Sequence, residues 1–218
     1  MPDPRARARQ LAHEAIARGD QTGWFELLYA ESQRYGTPIS WVDLAANPYL
    51  VEWLRGRPAP PHGRGLVVGC GYGDDAELLA GAGFEVTAFD VAPSAIARCH
   101  KRFPASQVRY EVADALGPPR GWPGAFDFVF EAYTVQVLRG PARSSCARAI
   151  GSFVAPGGTL LVVARCRHPE DAAGSMPWPL TRAELDDFAA PGLTLASLVD
   201  VVEPGDPPVP RFVAEFRR

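Results

Sequence analysis

Short apolar runs and helical stretches alternate along the chain after residue 62. The apolar runs predict five strands, at 65–68, 84–90, 108–112, 126–133 and 158–164. Helical patterns at 75–82, 93–103 and 141–153 fall between them, whereas the segment between the third and fourth strands is loop-like. Because strands buried on both faces have continuous apolar runs, this order is typical of a parallel sheet covered by helices on both sides.

The two ends of the chain follow different patterns. Near the start, helices are predicted over 5–18, 22–34 and 48–54. Near the end, a helix over 181–189 precedes two apolar runs, 193–202 and 211–216, joined by a proline-rich loop. Since these two runs are neighbours in sequence, we expect them to pair antiparallel at one edge of the sheet.

Together these elements predict an α/β fold, with a doubly wound, mostly parallel seven-stranded sheet and an antiparallel last strand. A chain of 218 residues with 47% hydrophobic content can bury one core, so we expect a single domain over 1–218. Within it, 1–56 would form an N-terminal helical lid and 63–218 the α/β core.

Charge and cysteine content limit the kinds of partner and metal that we expect the protein to bind. The 22 basic and 25 acidic residues are spread without blocks, so a nucleic-acid partner is not expected. No run of about eighteen apolar residues is present, which argues against a membrane span. The four cysteines lack paired spacing, and Cys166 with His168 has no second pair to complete a metal site. We expect a cytoplasmic protein with reduced thiols and no metal, either a monomer or a weak homodimer.

The strongest motif is LVVGCGYGDDAELLAGAGFEVTAFD. It predicts a strand, a G-x-G-x-G turn at Gly69, Gly71 and Gly73, a helix, and a second strand that ends in Asp90. Glycines allow a tight turn against which a ligand can lie without interference from Cβ atoms. Asp90 follows Gly69 by 21 positions, where a carboxylate can accept hydrogen bonds from both hydroxyls of a ribose.

A nicotinamide dinucleotide is the alternative ligand for such a turn. Its G-x-G-x-x-G fingerprint would need glycine where Asp74 stands, and Asp75 follows directly. Two carboxylates at a helix start would repel a pyrophosphate but suit a ligand with an ammonium and a sulfonium, although Asp75 is expected mainly to cap the helix. The motif therefore favours S-adenosylmethionine over a dinucleotide.

Two further strand ends supply candidate site residues. Asp114 follows the third strand, where it can accept from the adenine amine while Ala113 or Ala115 packs on the ring, although aspartate is also common in turns. At the end of the fourth strand, Glu131 and Tyr133 are expected near the methionine end of the ligand. Glu131 could bind the ammonium, or it could be an exposed strand-end charge.

With these motifs the sequence resembles the class I methyltransferases, which have a Rossmann-like fold. LVVGCG, with Val67 in place of the more common acidic residue, and GWFELLY, TPISW and NPYL in the N-terminal part resemble the thiopurine and the thiol or halide methyltransferases. The spacing in TPISW departs from that group, because Trp41 stands two residues further on than in the usual TPW.

The resemblance implies roles for individual residues. Gly69, Cys70 and Gly71 would line the methionine end, and Asp90 would hold the ribose. Val91 and Ala92 would flank adenine, and Asp114 with Ala115 would hold its edge. Trp24 and Trp41 would cover the pocket, or be core residues. Trp178 would form an aromatic wall on the acceptor side. The predicted cofactor residues are Gly69, Cys70, Gly71, Asp74, Asp90, Val91, Ala92, Asp114, Ala115, Glu131, Trp24 and Trp41, and the predicted substrate-pocket residues are Trp24, Tyr133 and Trp178.

Methyl transfer from a sulfonium is an in-line displacement, for which alignment and exclusion of water suffice when the acceptor is a soft nucleophile. Only Tyr133 and His168 are candidate bases for a neutral hydroxyl acceptor. We therefore expect an S-adenosylmethionine-dependent methyltransferase of small molecules, with a thiol, thiopurine or halide as the first-choice acceptor. The alternatives are N- or O-methylation of a secondary metabolite, an NAD(P)-dependent oxidoreductase, and a non-catalytic cofactor-binding scaffold.

Overall fold

The computed structural model describes residues 4–57, 63–189, 192–205 and 208–218. Residues 58–62, between the predicted lid and the predicted core, lie outside these ranges. The α-helices are α1 (Pro4–Ala17), α2 (Trp24–Tyr35), α3 (Pro48–Arg55), α4 (Asp74–Gly81), α5 (Pro93–Arg102) and α6 (Gly140–Ser152). The strands are β1 (Gly63–Val68), β2 (Phe84–Asp90), β3 (Arg109–Val112), β4 (Phe126–Ala132), β5 (Val154–Arg165), β6 (Thr194–Glu203) and β7 (Val209–Arg217).

The strands form one seven-stranded sheet in the order β3-β2-β1-β4-β5-β7-β6. β7 is antiparallel to both of its neighbours, and the pairs from β3 to β5 are parallel. This confirms the predicted class I methyltransferase fold. The order reverses between β1 and β4, and in such sheets ligands bind outside the carboxyl ends of the strands at this switch point.

The register brings the predicted site residues to that point. Val68 of β1 pairs with Phe89 of β2 on one side and with Glu131 of β4 on the other. The turn after β1, the end of β2 and the end of β4 therefore lie at the same edge of the sheet.

Helices cover both faces of the sheet. One core cluster packs α6 against the sheet around Phe153 and Leu160, and another packs α3, α4 and α5 around Leu79 and Phe128. The N-terminal pair α1 and α2 packs on α5 in a third cluster around Trp24. None of the helices in the described ranges combines the length and the apolar character that a membrane crossing requires.

Two elements differ from the sequence-based expectation. β5 begins at Val154 rather than at residue 158. Residues 155–158 belong to the strand as an irregular segment, over which its register against β4 shifts. The predicted helix at 181–189 is a 3-10 helix, Arg182–Phe188, which starts from a capping box between Thr181 and Glu184.

Candidate active site

The first strand runs into a tight glycine turn. Gly69, Gly71 and Gly73 have φ values of 59°, 54° and 91°, in the left-handed region that favours glycine. A Cβ atom at Gly69 would lie 2.4 Å from Thr134 Oγ1, and one at Gly73 would lie 2.6 Å from the Tyr110 hydroxyl. The turn therefore needs glycine at these positions, and it leaves a surface without side chains beside the crevice.

Asp90 ends β2 next to this turn. Its Oδ2 accepts a hydrogen bond from the Gly71 N–H, and its Oδ1 accepts one from the Ala92 N–H, both at 3.0 Å. Burial raises the pKa of Asp90 to about 6, although the amide hydrogen bonds act in the opposite direction. The carboxylate is held by the backbone at the cavity wall, where its remaining lone pairs can accept from hydroxyl groups of a ligand.

A cavity of about 450 Å³ lies along the carboxyl ends of the strands. This volume is in the range of small-molecule sites. We call the wall that follows β1, β2 and β3 the cofactor side; it contains Gly69, Gly71, Asp90 and Asp114. We call the wall at the ends of β4 and β6 and the start of β7 the acceptor side; it contains Tyr133, Glu203 and Arg211. Aromatic rings are frequent in the lining: Phe25, Tyr29, Trp41, Tyr72, Phe89 and Tyr133.

Carboxylates dominate the charged groups of the lining. They belong to Asp43, Asp74, Asp75, Asp90, Asp114 and Glu203, and the basic side chain among the described lining residues is that of Arg211. Ion pairs with Arg102 and Arg211 offset the charges of Asp74 and Glu203. The other four carboxylates keep the wall negative, and such a wall attracts a cation and repels a pyrophosphate. The residues present therefore fit S-adenosylmethionine, with its sulfonium and ammonium, better than a dinucleotide.

The two carboxylates at the start of α4 have separate structural partners. Asp74 forms a two-pronged ion pair with Arg102, with both N–O distances at 2.7 Å. Asp75 accepts a 2.6 Å hydrogen bond from the backbone N–H of Asn47, which joins the N-terminal segment to the glycine turn region. Burial raises the pKa of Asp75 to about 6. Asp75 was expected to cap α4. Its carboxylate instead binds the N-terminal segment through Asn47.

Most of the predicted site residues come together in this cavity. The predicted residues found in its lining are Gly69, Cys70, Gly71, Asp74, Asp90, Val91, Asp114, Ala115, Trp41 and Tyr133. Asp114 also accepts from the Leu116 N–H at 2.8 Å, so it forms the turn that was the alternative for this residue.

Two predicted cofactor residues lie beneath the wall instead. Ala92 is 0% exposed, and its N–H is bonded to Asp90. Glu131 is 1% exposed, and its Oε1 accepts from the N–H groups of Thr134 and Val135. Its Oε2 has no hydrogen-bond partner in the described ranges, and burial raises the pKa of Glu131 to about 7. Glu131 therefore caps the segment after β4, and its position does not support contact with an ammonium.

The structure corrects the prediction for Trp24. This ring is 0% exposed, and it stacks on Phe25 with a centroid distance of 3.8 Å. Phe25, its neighbour in sequence, lines the cavity in its place. Trp41 lines the cavity as predicted, and its Nε1 donates a 3.2 Å hydrogen bond to the Tyr29 hydroxyl. Phe25, Tyr29 and Trp41 of the N-terminal segment therefore line the cavity, and Trp24 packs behind Phe25 and Trp41.

Trp178 and His168 also lie outside the lining. The Trp178 ring is half-buried beneath the guanidinium of Arg139, which is 4.9 Å from the ring centroid. His168 is in an exposed loop, where its backbone N–H donates to Asp171. Met176, from the same loop region, lines the cavity instead. These positions do not support Trp178 as an aromatic wall or His168 as a base.

Tyr133 is the predicted catalytic candidate that reaches the cavity. Its backbone has a φ of 63°, which is unusual for a residue with a side chain. The guanidinium of Arg211 lies 4.8 Å from the centroid of its ring. Burial raises the pKa of Tyr133 to about 12, so the hydroxyl stays protonated at neutral pH and can donate a hydrogen bond.

Sequence reasoning missed Glu203 and Arg211 on the acceptor side. Glu203 accepts from the Tyr49 hydroxyl at 2.9 Å and is ion-paired with Arg211. Their position was the available signal, because one directly follows the predicted strand at 193–202 and the other begins the predicted strand at 211–216. Antiparallel neighbours joined by a short loop bring these two ends to the same edge of the sheet.

Part of the chain is similar to known methyltransferases. Residues 66–158 match the family model described as methyltransferase domain. The ubiquinone biosynthesis O-methyltransferase of Xanthomonas campestris pv. campestris (strain B100) is 35% identical over 127 residues, which are 57% of this chain and 52% of that protein. The chain thus spans about half the length of the curated relatives it matches.

Solved structures share the fold. One, described as "Conversion of a Disulfide Bond into a Thioacetal Group during Echinomycin Biosynthesis", has a TM-score of 0.74 and 24% identity, covering 91% of each chain. The N-methyltransferase NodS from Bradyrhizobium japonicum WM9, solved with S-adenosylhomocysteine, has a TM-score of 0.65 and 22% identity, covering 87% of this chain and 97% of that one.

These matches agree with the enzyme class and the cofactor predicted from the sequence. Residues 66–158 match a methyltransferase domain, and NodS, which shares the fold, was solved with S-adenosylhomocysteine. The curated relative is named as an O-methyltransferase and NodS as an N-methyltransferase, whereas the echinomycin structure is described by the conversion of a disulfide into a thioacetal. The narrower resemblance to thiopurine and thiol or halide methyltransferases stays a prediction.

Proposed function

We propose that this chain binds S-adenosylmethionine on the cofactor side of the cavity and transfers its methyl group to an oxygen or nitrogen atom of a small, partly aromatic molecule. The observation that carries the proposal is the continuity of the cavity, which joins the glycine turn and Asp90 to the aromatic acceptor side around Tyr133. The names of the relatives support oxygen or nitrogen as the acceptor atom, so this alternative replaces sulfur as the first choice.

The residues of the cofactor side have complementary tasks. Asp90 would accept from the ribose hydroxyls, and Asp114 with Ala115 would hold the adenine edge. Gly69 to Gly71 would lie against the methionine part, near the acidic groups that favour its positive charge. When bound, S-adenosylmethionine supplies an electrophilic methyl group on a sulfonium.

The residues of the acceptor side align the second substrate and exclude water. Phe25, Tyr29 and Trp41 complete the enclosure from the N-terminal segment beside the glycine turn, where they would exclude water from the reacting groups. Tyr133 stays protonated, and none of the histidines in the described ranges lines the cavity. The acceptor is therefore an amine or a hydroxyl acidic enough to ionise without a strong protein base.

The same observation favours a thiol as the second candidate, because a thiol ionises readily without help. Incubating the full chain with methyl-labelled S-adenosylmethionine and a matched catechol, aniline and thiophenol separates these acceptors. The proposal predicts label on the catechol or the aniline, whereas label on the thiophenol alone supports the second candidate. Binding of the cofactor without label on any acceptor of a wider panel would contradict the proposal and support a non-catalytic scaffold. Monomeric or weakly dimeric state and cytoplasmic location stay predictions.

A further inference from the structure

Two arginines stand directly opposite each other at the edge of the acceptor side; Arg211 lines the cavity, and Arg165 is its cross-strand neighbour just behind the lining. Arg165 of β5 and Arg211 of β7 are paired in the antiparallel ladder, so their side chains leave the same face of the sheet as nearest cross-strand neighbours. Like charges at such positions destabilise a sheet. An unfavourable pair beside a ligand cavity is best explained by a role in ligand binding.

Arg211 is built into the cavity wall. Its side chain is 12% exposed and lines the cavity, and one of its terminal nitrogens is paired with Glu203. Its Nε is buried without a hydrogen-bond partner in the described part of the chain. The guanidinium thus retains donor capacity next to the Tyr133 ring.

Positive charge exceeds negative charge around the pair. Glu203 divides its oxygens between the Tyr49 hydroxyl and Arg211. Burial, and then the charges of Arg211 and Arg5, lower the pKa of Arg165, which shows that its neighbours repel a proton there. Arg211 and Glu203 neutralise each other in the lining, so the charge of Arg165 behind them leaves this group of three with a net charge of one positive unit.

We propose that Arg165 and Arg211 bind an oxyanion, a carboxylate or a phosphate, carried by the methyl acceptor. This inference rests on the proposed function and specifies its substrate class. An oxyanion between two guanidinium groups would accept charge-assisted hydrogen bonds and would offset their repulsion. The cavity is then divided by charge, with a cation bound on the cofactor side and an anion on the acceptor side, and the methyl group between them.

Calorimetry with three ring compounds tests the proposal. The full chain is titrated with 4-hydroxybenzoate, 4-hydroxyphenyl phosphate and methyl 4-hydroxybenzoate, with and without saturating S-adenosylhomocysteine. At least one of the two anions is expected to bind about tenfold or more tightly than the neutral ester, and the two anions distinguish carboxylate from phosphate. Equal binding of all three compounds would overturn the inference. Failure of S-adenosylhomocysteine to bind would contradict the proposed function alone, because the anion preference is measured without it as well.

A variant separates recognition from a structural role. Arg165→Gln is expected to abolish the preference for anions while it raises the Tm of the free protein at low salt by about 1–3 °C, since it removes like-charge repulsion. Arg148→Gln is the matched control, because Arg148 is 64% exposed and pairs with Asp187 away from the cavity; it is expected to leave the anion preference unchanged. An Arg165→Gln protein that keeps the anion preference would overturn the proposal.

Discussion

The carboxylate of Asp90 accepts a hydrogen bond from the backbone N–H of Gly71, at 3.0 Å. This bond joins the end of β2 to the glycine turn after β1, so the two parts of the cofactor side are held together by the protein itself. A ligand that binds to both therefore meets a site that is already formed, and little binding energy is spent on ordering it.

Replacing Asp90 tests its role in binding the ribose. Asp90→Ala is expected to weaken binding of S-adenosylhomocysteine by about 1–3 kcal/mol, because two hydroxyls lose their acceptor. Calorimetry measures the change. Asp127→Ala is the control, since Asp127 accepts from the Arg64 N–H at the opposite end of the sheet and should not affect affinity. Unchanged affinity in Asp90→Ala would remove this residue from the site.

Adding one methyl group to the glycine turn should disrupt it. At Gly69, a new Cβ would lie 2.4 Å from Thr134 Oγ1 in a left-handed backbone, so Gly69→Ala is expected to lower the unfolding free energy by about 1–3 kcal/mol and to abolish cofactor binding. Gly81→Ala provides the comparison, because a Cβ there meets no atom within 4 Å in a helix. It should be neutral or stabilising by up to about 1 kcal/mol. Denaturant unfolding of both variants measures the two changes in unfolding free energy. Equal stability of the variants would contradict the requirement for glycine at position 69.

The parts of the fold that depend on local patterns could be predicted from the sequence. The strands around Val68 and Phe89 were identified because fully buried strands have continuous apolar runs. The start of β5 was not predicted, because residues 155–158 look like a turn. Only the pairing of Val154 with β4 and the backbone hydrogen bonds of Gly157 and Gly158 with Arg218 include this segment in the strand. Pairing between distant segments decides such bounds.

The site residues were likewise predictable where local backbone geometry fixes them, and not where packing between distant parts decides. Gly69 and Asp90 were predictable because the backbone geometry of a strand–turn–helix unit fixes their positions. Trp24 was not, since adjacent residues on a helix point about 100° apart, and packing decides whether Trp24 or Phe25 faces the ligand. Arg211 acts next to Tyr133 only because β7 is inserted beside β5, which no local pattern shows.

Glu131 should make stability depend on pH. Its pKa is raised by burial from 4.5 to about 7 in the folded protein, so folding favours its protonated form. The stabilisation is complete below about pH 4.5 and is lost as pH rises through 7, with an effect on the order of 3 kcal/mol for this residue. Glu131→Gln, which mimics the neutral acid, is expected to remove that part of the decline when unfolding is followed from pH 5 to 8. The same slope in both proteins would show that Glu131 does not titrate in this range.

Trp41 should report ligand binding from the lid. Its ring is 37% exposed at the cavity, so a bound cofactor or acceptor changes its surroundings. Adding S-adenosylhomocysteine is expected to change the tryptophan fluorescence of the protein and to have little effect in Trp41→Phe. Trp122→Phe serves as the control, because Trp122 is buried in the core on the α6 side. A signal that survives in Trp41→Phe and disappears in Trp122→Phe would show that the lid does not cover the ligand.

The central claim is that an acid-lined crevice beside the glycine turn binds a cationic nucleoside. Calorimetric titration of the full chain with S-adenosylmethionine and, separately, with NADH tests it most directly. We predict one S-adenosylmethionine bound per chain and no measurable binding of NADH, because its pyrophosphate would face a lining in which carboxylates outnumber basic groups. Binding of NADH more tightly than S-adenosylmethionine would contradict it.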